Sequence, residues 1–241
     1  MKSLTDCFAM SILWQKIEKE RIMELKISNV GKIDSANIEI KGITIIAGLN
    51  GTGKSTVSRK LREKGYPVID LDIISREVIT YPEVIDELVR NFGNEILEEQ
   101  NEVSGKKSIS RNKLRQTVFK DEKKVAVLNS IMHPPIIEEM RRQIKELRKD
   151  YKTVFVEVQL LFEVKLEKEF DMTVLVYADR KTQIERVLKR DGRSEGEVQQ
   201  IINAQMDMTE KRRLSNYIIE NNGNSEMLDL EIEKFIKKFG I

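Results

Sequence analysis

Apolar residues near the start of the chain follow two kinds of pattern. Residues 24–30 (ELKISNV) and 35–40 (SANIEI) alternate apolar and polar positions, whereas residues 43–47 (ITIIA) form a continuous apolar run. Alternation is typical of a half-buried strand, and a short continuous run is typical of a fully buried one. We therefore expect a β-hairpin over residues 23–42, followed by a buried strand.

Beyond residue 47, strand and helix patterns alternate to the end of the chain. Further short apolar runs predict strands at residues 66–72, 153–158, 172–177 and 217–220. Amphipathic segments between them predict helices, one of which should end at Pro134–Pro135, since proline interrupts helical hydrogen bonding. This alternation predicts an α/β fold over residues 43–241, with five parallel strands flanked by helices.

Composition narrows the classes of function. The 241 residues carry 42 Lys and Arg against 40 Asp and Glu, a net charge of +2, with a single Cys and a single His. This excludes a disulfide framework and a Cys/His zinc site, and gives no reason to expect nucleic acid or a membrane as partner. We expect a cytoplasmic protein that is a monomer or weak homo-oligomer. Residues 1–22 are interpreted as a short helix or tail outside the functional domain, with Met23 as an alternative start.

The strongest chemical signal is a glycine-rich loop. Residues 48–55 (GLNGTGKS) match GxxxxGK[ST] and lie between a predicted buried strand and a predicted helix. Such a loop cradles phosphates with backbone N–H groups, while its lysine reaches the β- and γ-phosphates and its hydroxyl binds Mg²⁺. The motif predicts ATP and Mg²⁺ as cofactors, with Ser55 as a metal ligand. The expected nucleotide contacts are Asn50, Gly51, Thr52, Gly53, Lys54, Ser55 and Thr56.

Acidic residues follow two of the predicted strands. Asp70 and Asp72 lie where residues 66–72 end, and Glu157 lies at the end of the next predicted strand. Since the carboxyl ends of parallel strands face the ligand crevice, an aspartate there could accept a hydroxyl proton and Glu157 could orient Mg²⁺. The alternatives are that an aspartate caps the next helix and that Glu157 is a solvated strand-end residue.

A basic segment near the C-terminus resembles a mobile lid. Arg186, Arg190 and Arg193 flank the break at Asp191–Gly192 between two predicted helices. Arginines on a lid could close over phosphates in the transition state. The alternative is an ordinary helical hairpin with solvated charges. His133, before two prolines, is more typical of a capping or packing residue than of a catalyst.

With these motifs in place, residues 43–223 resemble the dephospho-coenzyme A kinase family. The resemblance is carried, in chain order, by GTGKST, VIDLDIISRE, NFGNEIL, ISRNKLRQTVFKD, LNSIMHPPI, VQLLFE, RVLKRDGRS, INAQM and YIIENNG. It implies a P-loop fold like that of nucleoside monophosphate kinases. It also implies transfer of the ATP γ-phosphate to the ribose 3′-hydroxyl of dephospho-CoA, the last step of coenzyme A synthesis.

The same resemblance implies roles for individual residues. Asp72 would be the catalytic base, Lys54 and the loop would hold ATP, and Arg190 would be the lid arginine. Arg76, Arg111 and His133 would lie on the substrate side. The substrate would bind a helical region at about residues 73–150, under a lid at about 186–212.

Some segments depart from the family pattern. The family's loop usually reads TGGIGSGKS, whereas this chain has Ala47, Leu49 and Asn50, and Gln159 replaces a usual proline. The loop and the preceding hairpin resemble those of ABC-type chromosome-maintenance and repair ATPases. Two alternatives therefore remain: a kinase of the same fold with another small-molecule substrate, or an ABC-type ATPase. The second would need an LSGGQ-like signature and a strand ending in Asp-Glu, and neither is present.

Overall fold

A computed structural model describes residues 42–98, 107–118, 121–158, 170–192, 194–203 and 205–241. Residues 1–22 and all but the last residue of the expected hairpin lie outside these ranges, as do Gln159 and Arg193.

A five-stranded sheet forms the centre of the described structure, as the sequence predicts. Its strands are β1 (Ile43–Ala47), β2 (Val68–Asp70), β3 (Val154–Glu157), β4 (Met172–Tyr177) and β5 (Tyr217–Glu220). Their spatial order is β2-β3-β1-β4-β5, and every neighbouring pair is parallel. The carboxyl ends of all five strands therefore meet at one edge, where the glycine-rich loop follows β1.

Helices connect the strands and cover both faces of the sheet. They are α1 (Lys54–Glu63), α2 (Leu71–Val78), α3 (Pro82–Phe92), α4 (Arg111–Val118), α5 (Glu122–Leu147), α6 (Arg180–Asp191), α7 (Glu195–Asn203), α8 (Met208–Leu214) and α9 (Ser225–Phe239), with a short 3-10 helix at Asn94–Ile96. In the described part of the chain, no helix combines the length and apolar character that a membrane span requires.

The second predicted strand is shorter than its sequence pattern indicates. β2 ends at Asp70, and α2 begins at Leu71, so Asp72 lies in the first turn of a helix. The Asp70 side chain accepts a hydrogen bond of 2.8 Å from the backbone N–H of Asp72. Because this cap satisfies a helical N–H that would otherwise lack a partner, the chain turns into a helix two residues earlier than expected.

The prediction that a helix ends at Pro134–Pro135 is wrong. Both prolines lie inside α5, which is 26 residues long. The buried side chains on both sides of the prolines are Leu128, Ile131, Met132, Ile136, Met140 and Ile144. This face packs on α2, α3 and α4, so the burial of both halves outweighs the loss of two helical N–H donors.

The core consists of two apolar layers, one on each face of the sheet. Alternate residues of β1 belong to different layers: Ile45 packs with the α2–α5 helices, and Ile46 packs with α1 and α9. Strands covered on both faces should be almost uniformly apolar, as they are here. The sheet edge that carries the glycine-rich loop is therefore covered by the α2–α5 helices on one face and by α1 and α9 on the other.

Candidate active site

The glycine-rich loop forms a tight turn between β1 and α1. Gly51 has φ 80°, and a Cβ added there would lie 2.6 Å from the carbonyl oxygen of Gln183 on α6. Glycine is therefore required both by the backbone conformation and by the close approach of α6. Inside the turn, the Thr52 hydroxyl donates to the carbonyl oxygen of Leu49 at 2.9 Å. The loop is thus held from within and from the neighbouring helix.

Lys54, the first residue of α1, lies within electrostatic range of three carboxylates at the sheet edge. Lys54 is only 5% exposed. Burial lowers the pKa of Lys54, while the charges of Glu157, Asp72 and Asp70 act in the opposite direction. The structure therefore brings the predicted phosphate-binding lysine together with all the predicted strand-end acids.

Glu157 and Ser55, the two residues predicted to bind a metal ion, are hydrogen-bonded to each other. Glu157 ends β3 between Ile46 of β1 and Asp70 of β2, and the Ser55 hydroxyl donates to its Oε1 at 2.9 Å. Glu157 Oε2 is buried and has no hydrogen-bond partner among the described residues. A buried acceptor of this kind needs a cation or water, so the pair fits Mg²⁺.

These two groups would be only part of the metal's coordination. In the described ranges, no group of three or more His, Cys, Asp and Glu side chains could hold a metal ion. Mg²⁺ commonly keeps several waters and binds one or two carboxylates together with substrate phosphates. The donor set therefore fits a Mg²⁺ ion that arrives with a nucleotide.

Asp70 and Asp72 have different environments. Asp70 caps α2, which is the alternative role considered for one of these acids. Burial raises the pKa of Asp72, the nearby charge of Asp70 raises it further, and Lys54 opposes both. A carboxylate whose affinity for a proton is increased suits a general base.

Two of the predicted substrate-side residues, Arg76 on α2 and Arg111 on α4, lie close enough to Asp72 for their charges to act on each other. Burial lowers the pKa of the Arg111 guanidinium, as do the charges of Arg76 and Arg115, while Asp72 opposes them. Arg76 and Arg111 are therefore electrostatically coupled to the candidate base. Burial lowers the pKa of His133 to about 4, so its imidazole is neutral near pH 7.

The predicted lid residues take two arrangements. α6 ends at Asp191, and Gly192 adopts a left-handed conformation with φ 61°. Arg190 donates to both carboxylate oxygens of Asp191 at 2.6 and 3.0 Å, and its side chain is 63% exposed. Arg186 instead donates to the backbone carbonyl of Asn221 at 2.8 Å. Arg190 thus retains an exposed position, while Arg186 holds the loop after β5.

Asn221 is a residue of this site for which no sequence motif predicts a role. It is 6% exposed, and its Nδ2 donates to the carbonyl oxygen of Thr52 at 2.7 Å. Its backbone N–H donates to the carbonyl oxygen of Tyr177 at the end of β4, also at 2.7 Å. Asn221 therefore joins the phosphate loop to β4 and, through Arg186, to α6. The only sequence signal is its place in the segment YIIENNG, directly after a predicted strand.

Comparisons with known proteins identify the family to which the chain is similar. Residues 42–227 match the family model described as dephospho-CoA kinase. A dephospho-CoA kinase domain-containing protein of Danio rerio is 44% identical over 187 residues, covering 75% of this chain and 79% of the relative. The dephospho-CoA kinase of Oceanobacillus iheyensis is 38% identical over 204 residues, covering 83% of this chain and 100% of the relative.

Solved structures show the same architecture. A crystal structure from Thermus thermophilus is similar with a TM-score of 0.70 and 32% identity, covering 83% of this chain and 98% of the other. A dephospho-CoA kinase from Campylobacter jejuni gives a TM-score of 0.63 at 23% identity, covering 81% and 96%, and supports the fold alone. With the family match and the relatives at 38% and 44% identity, these findings show that the chain belongs to the dephospho-CoA kinase family.

Proposed function

We propose that this protein transfers the γ-phosphate of ATP to the ribose 3′-hydroxyl of dephospho-CoA. The observation that carries the proposal is the meeting of Lys54, the Ser55–Glu157 pair and Asp72 at one edge of the sheet. Phosphoryl transfer needs positioned phosphates, a cation and a group that accepts the hydroxyl proton. One chain supplies residues for each of these functions within a single site.

The donor side consists of the glycine-rich loop and the start of α1. Backbone N–H groups of residues 50–56 would hold the ATP phosphates, with the partial positive charge at the N-terminus of α1 adding to their attraction. Lys54 would neutralise charge that develops on the transferring group. Ser55 and Glu157 would hold Mg²⁺, which supplies further charge neutralisation when it is bound.

Asp72 would act on the acceptor. Its carboxylate accepts the proton of the 3′-hydroxyl as the oxygen attacks the γ-phosphorus and the bond to the leaving ADP oxygen breaks. A base with a raised pKa holds this proton more firmly than an ordinary aspartate would. Arg76, Arg111 and His133 would contact the acceptor, within a substrate-binding region at about residues 73–150.

The lid at about residues 186–212 would close over both substrates. Gly192 provides a hinge position between α6 and α7, and Arg190 lies two residues before it. On closure, the Arg190 side chain would leave the Asp191 carboxylate and bind the phosphates, which carry more negative charge. We further propose that the reaction takes place in the cytoplasm, in a monomer or weak homo-oligomer that needs no nucleic acid.

Incubation of the purified protein with ATP, Mg²⁺ and a panel of acceptors tests this function. The panel contains dephospho-CoA, adenosine and other nucleosides, and mass spectrometry with phosphorus NMR identifies the product. We expect the 3′-phosphate of dephospho-CoA as the preferred product. Preferred transfer to another acceptor would support the changed-substrate alternative, and ATP hydrolysis without any transfer would contradict a kinase.

A further inference from the structure

Three arginines from two helices share the acceptor side of the site. Arg76 lies one helical turn after Asp72 on α2, so both residues share one face of that helix. Arg111 and Arg115 have the same spacing on α4. Both helices pack on α5, and the charges of Arg76, Arg115 and Asp72 all act on Arg111. The three guanidinium groups therefore form one cluster beside the candidate base, which we call the arginine cluster.

The arginine cluster has no adequate counter-charge of its own. Among the residues that the structure describes, none of its three members forms an ion pair with a carboxylate. The Nε of Arg115 is buried and has no hydrogen-bond partner in that same part of the chain. Asp72 attracts Arg111 less strongly than Arg76 and Arg115 each repel it. Arg76 and Arg111 are exposed and Arg115 is half-buried. Three like charges that lie together without an ion-paired carboxylate indicate a site for an anion.

The cluster lies on the acceptor side rather than the donor side. The positive charge that acts most strongly on Lys54 is that of Arg190, which lies on α6 and does not belong to the arginine cluster. The donor phosphates already have Lys54 and the backbone N–H groups of the loop. The anion expected at the cluster therefore belongs to the other substrate.

We propose that Arg76, Arg111 and Arg115 bind the diphosphate bridge of dephospho-CoA, with Arg115 completing the site. This inference rests on the proposed function. The diphosphate is attached to the same ribose whose 3′-hydroxyl reacts. When that hydroxyl lies at Asp72, the diphosphate can therefore be no further away than the other side of the sugar ring. Its two negative charges complement the positive charges of the cluster, and each guanidinium group can donate two parallel hydrogen bonds to phosphate oxygens. The cluster would thereby orient the ribose and select diphosphate-bearing acceptors over free nucleosides.

Steady-state kinetics of Arg115→Gln and Arg111→Gln test the proposal. With ATP saturating, we expect KM for dephospho-CoA to rise roughly 10- to 100-fold, since each variant loses hydrogen bonds to a charged group. Adenosine has the same 3′-hydroxyl but no phosphate, so kcat/KM for adenosine should stay within about twofold, and so should KM for ATP. Arg148→Gln is the matched control, because Arg148 is an exposed residue at the end of α5, before the opposite edge of the sheet.

Several outcomes would overturn the proposal. An unchanged KM for dephospho-CoA in Arg115→Gln, or an equal loss with adenosine, would show that the residue does not bind the diphosphate. A rise in KM for ATP alone would place the cluster on the donor side. Calorimetric binding of dephospho-CoA without ATP, on variants whose circular dichroism matches the wild type, tests the site independently of turnover. If the wild type binds dephospho-CoA tightly and Arg115→Gln does not, the result would support the diphosphate site. It would do so even if no phosphoryl transfer were detected and the proposed function were wrong.

Discussion

Replacement of Asn221 by alanine removes the hydrogen bond that joins the loop after β5 to the phosphate loop. The lost bond is 2.7 Å long, and its two residues, Asn221 and Thr52, are 6% and 0% exposed. A buried carbonyl left without a donor costs about 1–3 kcal/mol. For a domain of this size, each 1 kcal/mol shifts Tm by about 2–4 °C, so we expect Tm to fall by about 2–12 °C.

The same substitution should reduce catalysis beyond its effect on stability. Thr52 lies between Gly51 and Gly53 in the loop that would hold ATP, and a shift of about 1 Å in a reacting group can cost about 100-fold in rate. We expect kcat/KM for ATP to fall about 10- to 100-fold, while KM for dephospho-CoA changes little. Saturating ATP should restore part of the lost Tm, because binding stabilises the folded state.

Thermal unfolding and steady-state kinetics of three variants test whether the phosphate loop depends on Asn221. Asn91→Ala is the matched control, since Asn91 is exposed on α3 and its side chain donates to the carbonyl oxygen of Glu87 in the same helix. Its free energy of unfolding should change by less than about 0.5 kcal/mol. Asn221→Asp keeps the shape but loses the donor, and its carboxylate should weaken ATP binding more than alanine does. If Asn221→Ala melts and turns over like the wild type, the loop does not depend on this contact.

Four further predictions concern the proposed catalytic groups. Lys54→Ala should lower kcat at least about 100-fold, with circular dichroism unchanged; near-normal turnover of the folded variant would contradict its role. Asp72→Asn should lower kcat roughly 10²–10⁴-fold yet raise Tm at pH 7, since the raised pKa of Asp72 means that folding disfavours its ionised form. Asp70→Ala should lower the free energy of unfolding by about 0.5–2 kcal/mol, because the helix cap is lost. It should also move the acid limb of the pH profile of kcat/KM to lower pH, because Asp70 raises the pKa of Asp72. An acid limb at the wild-type pH would contradict Asp72 as the base. Glu157→Gln should raise the Mg²⁺ concentration needed for half-maximal rate without changing KM for dephospho-CoA, and an unchanged Mg²⁺ dependence would exclude Glu157 as a metal-binding group.

The sequence predicts the elements whose signals are local. The five strands are short apolar runs, and the glycine-rich loop is recognised by residue type and spacing alone. Because parallel strands place their carboxyl ends at one edge, the same patterns predict that Lys54, Ser55, Asp72 and Glu157 share one site. These residues do meet at the sheet edge.

What the sequence does not reveal depends on contacts between distant segments. α5 passes through Pro134–Pro135 because its two halves pack on other helices, and no local propensity reports that packing. The hydrogen bond from Asn221 to Thr52 joins residues 169 positions apart. α8, Met208–Leu214, is a short helix whose apolar pattern does not distinguish it from the flanking residues.

The central position of β1 has a consequence for how such a protein could change its substrate. On the β2 side of the sheet, the chain supplies Asp72 and the helices proposed to bind the acceptor. On the β4 side, Asn221 and Arg186 support the loop proposed to bind the donor. Substitutions in the acceptor helices would leave those supporting hydrogen bonds intact, so evolution or protein engineering could alter the acceptor while ATP remained the phosphate donor.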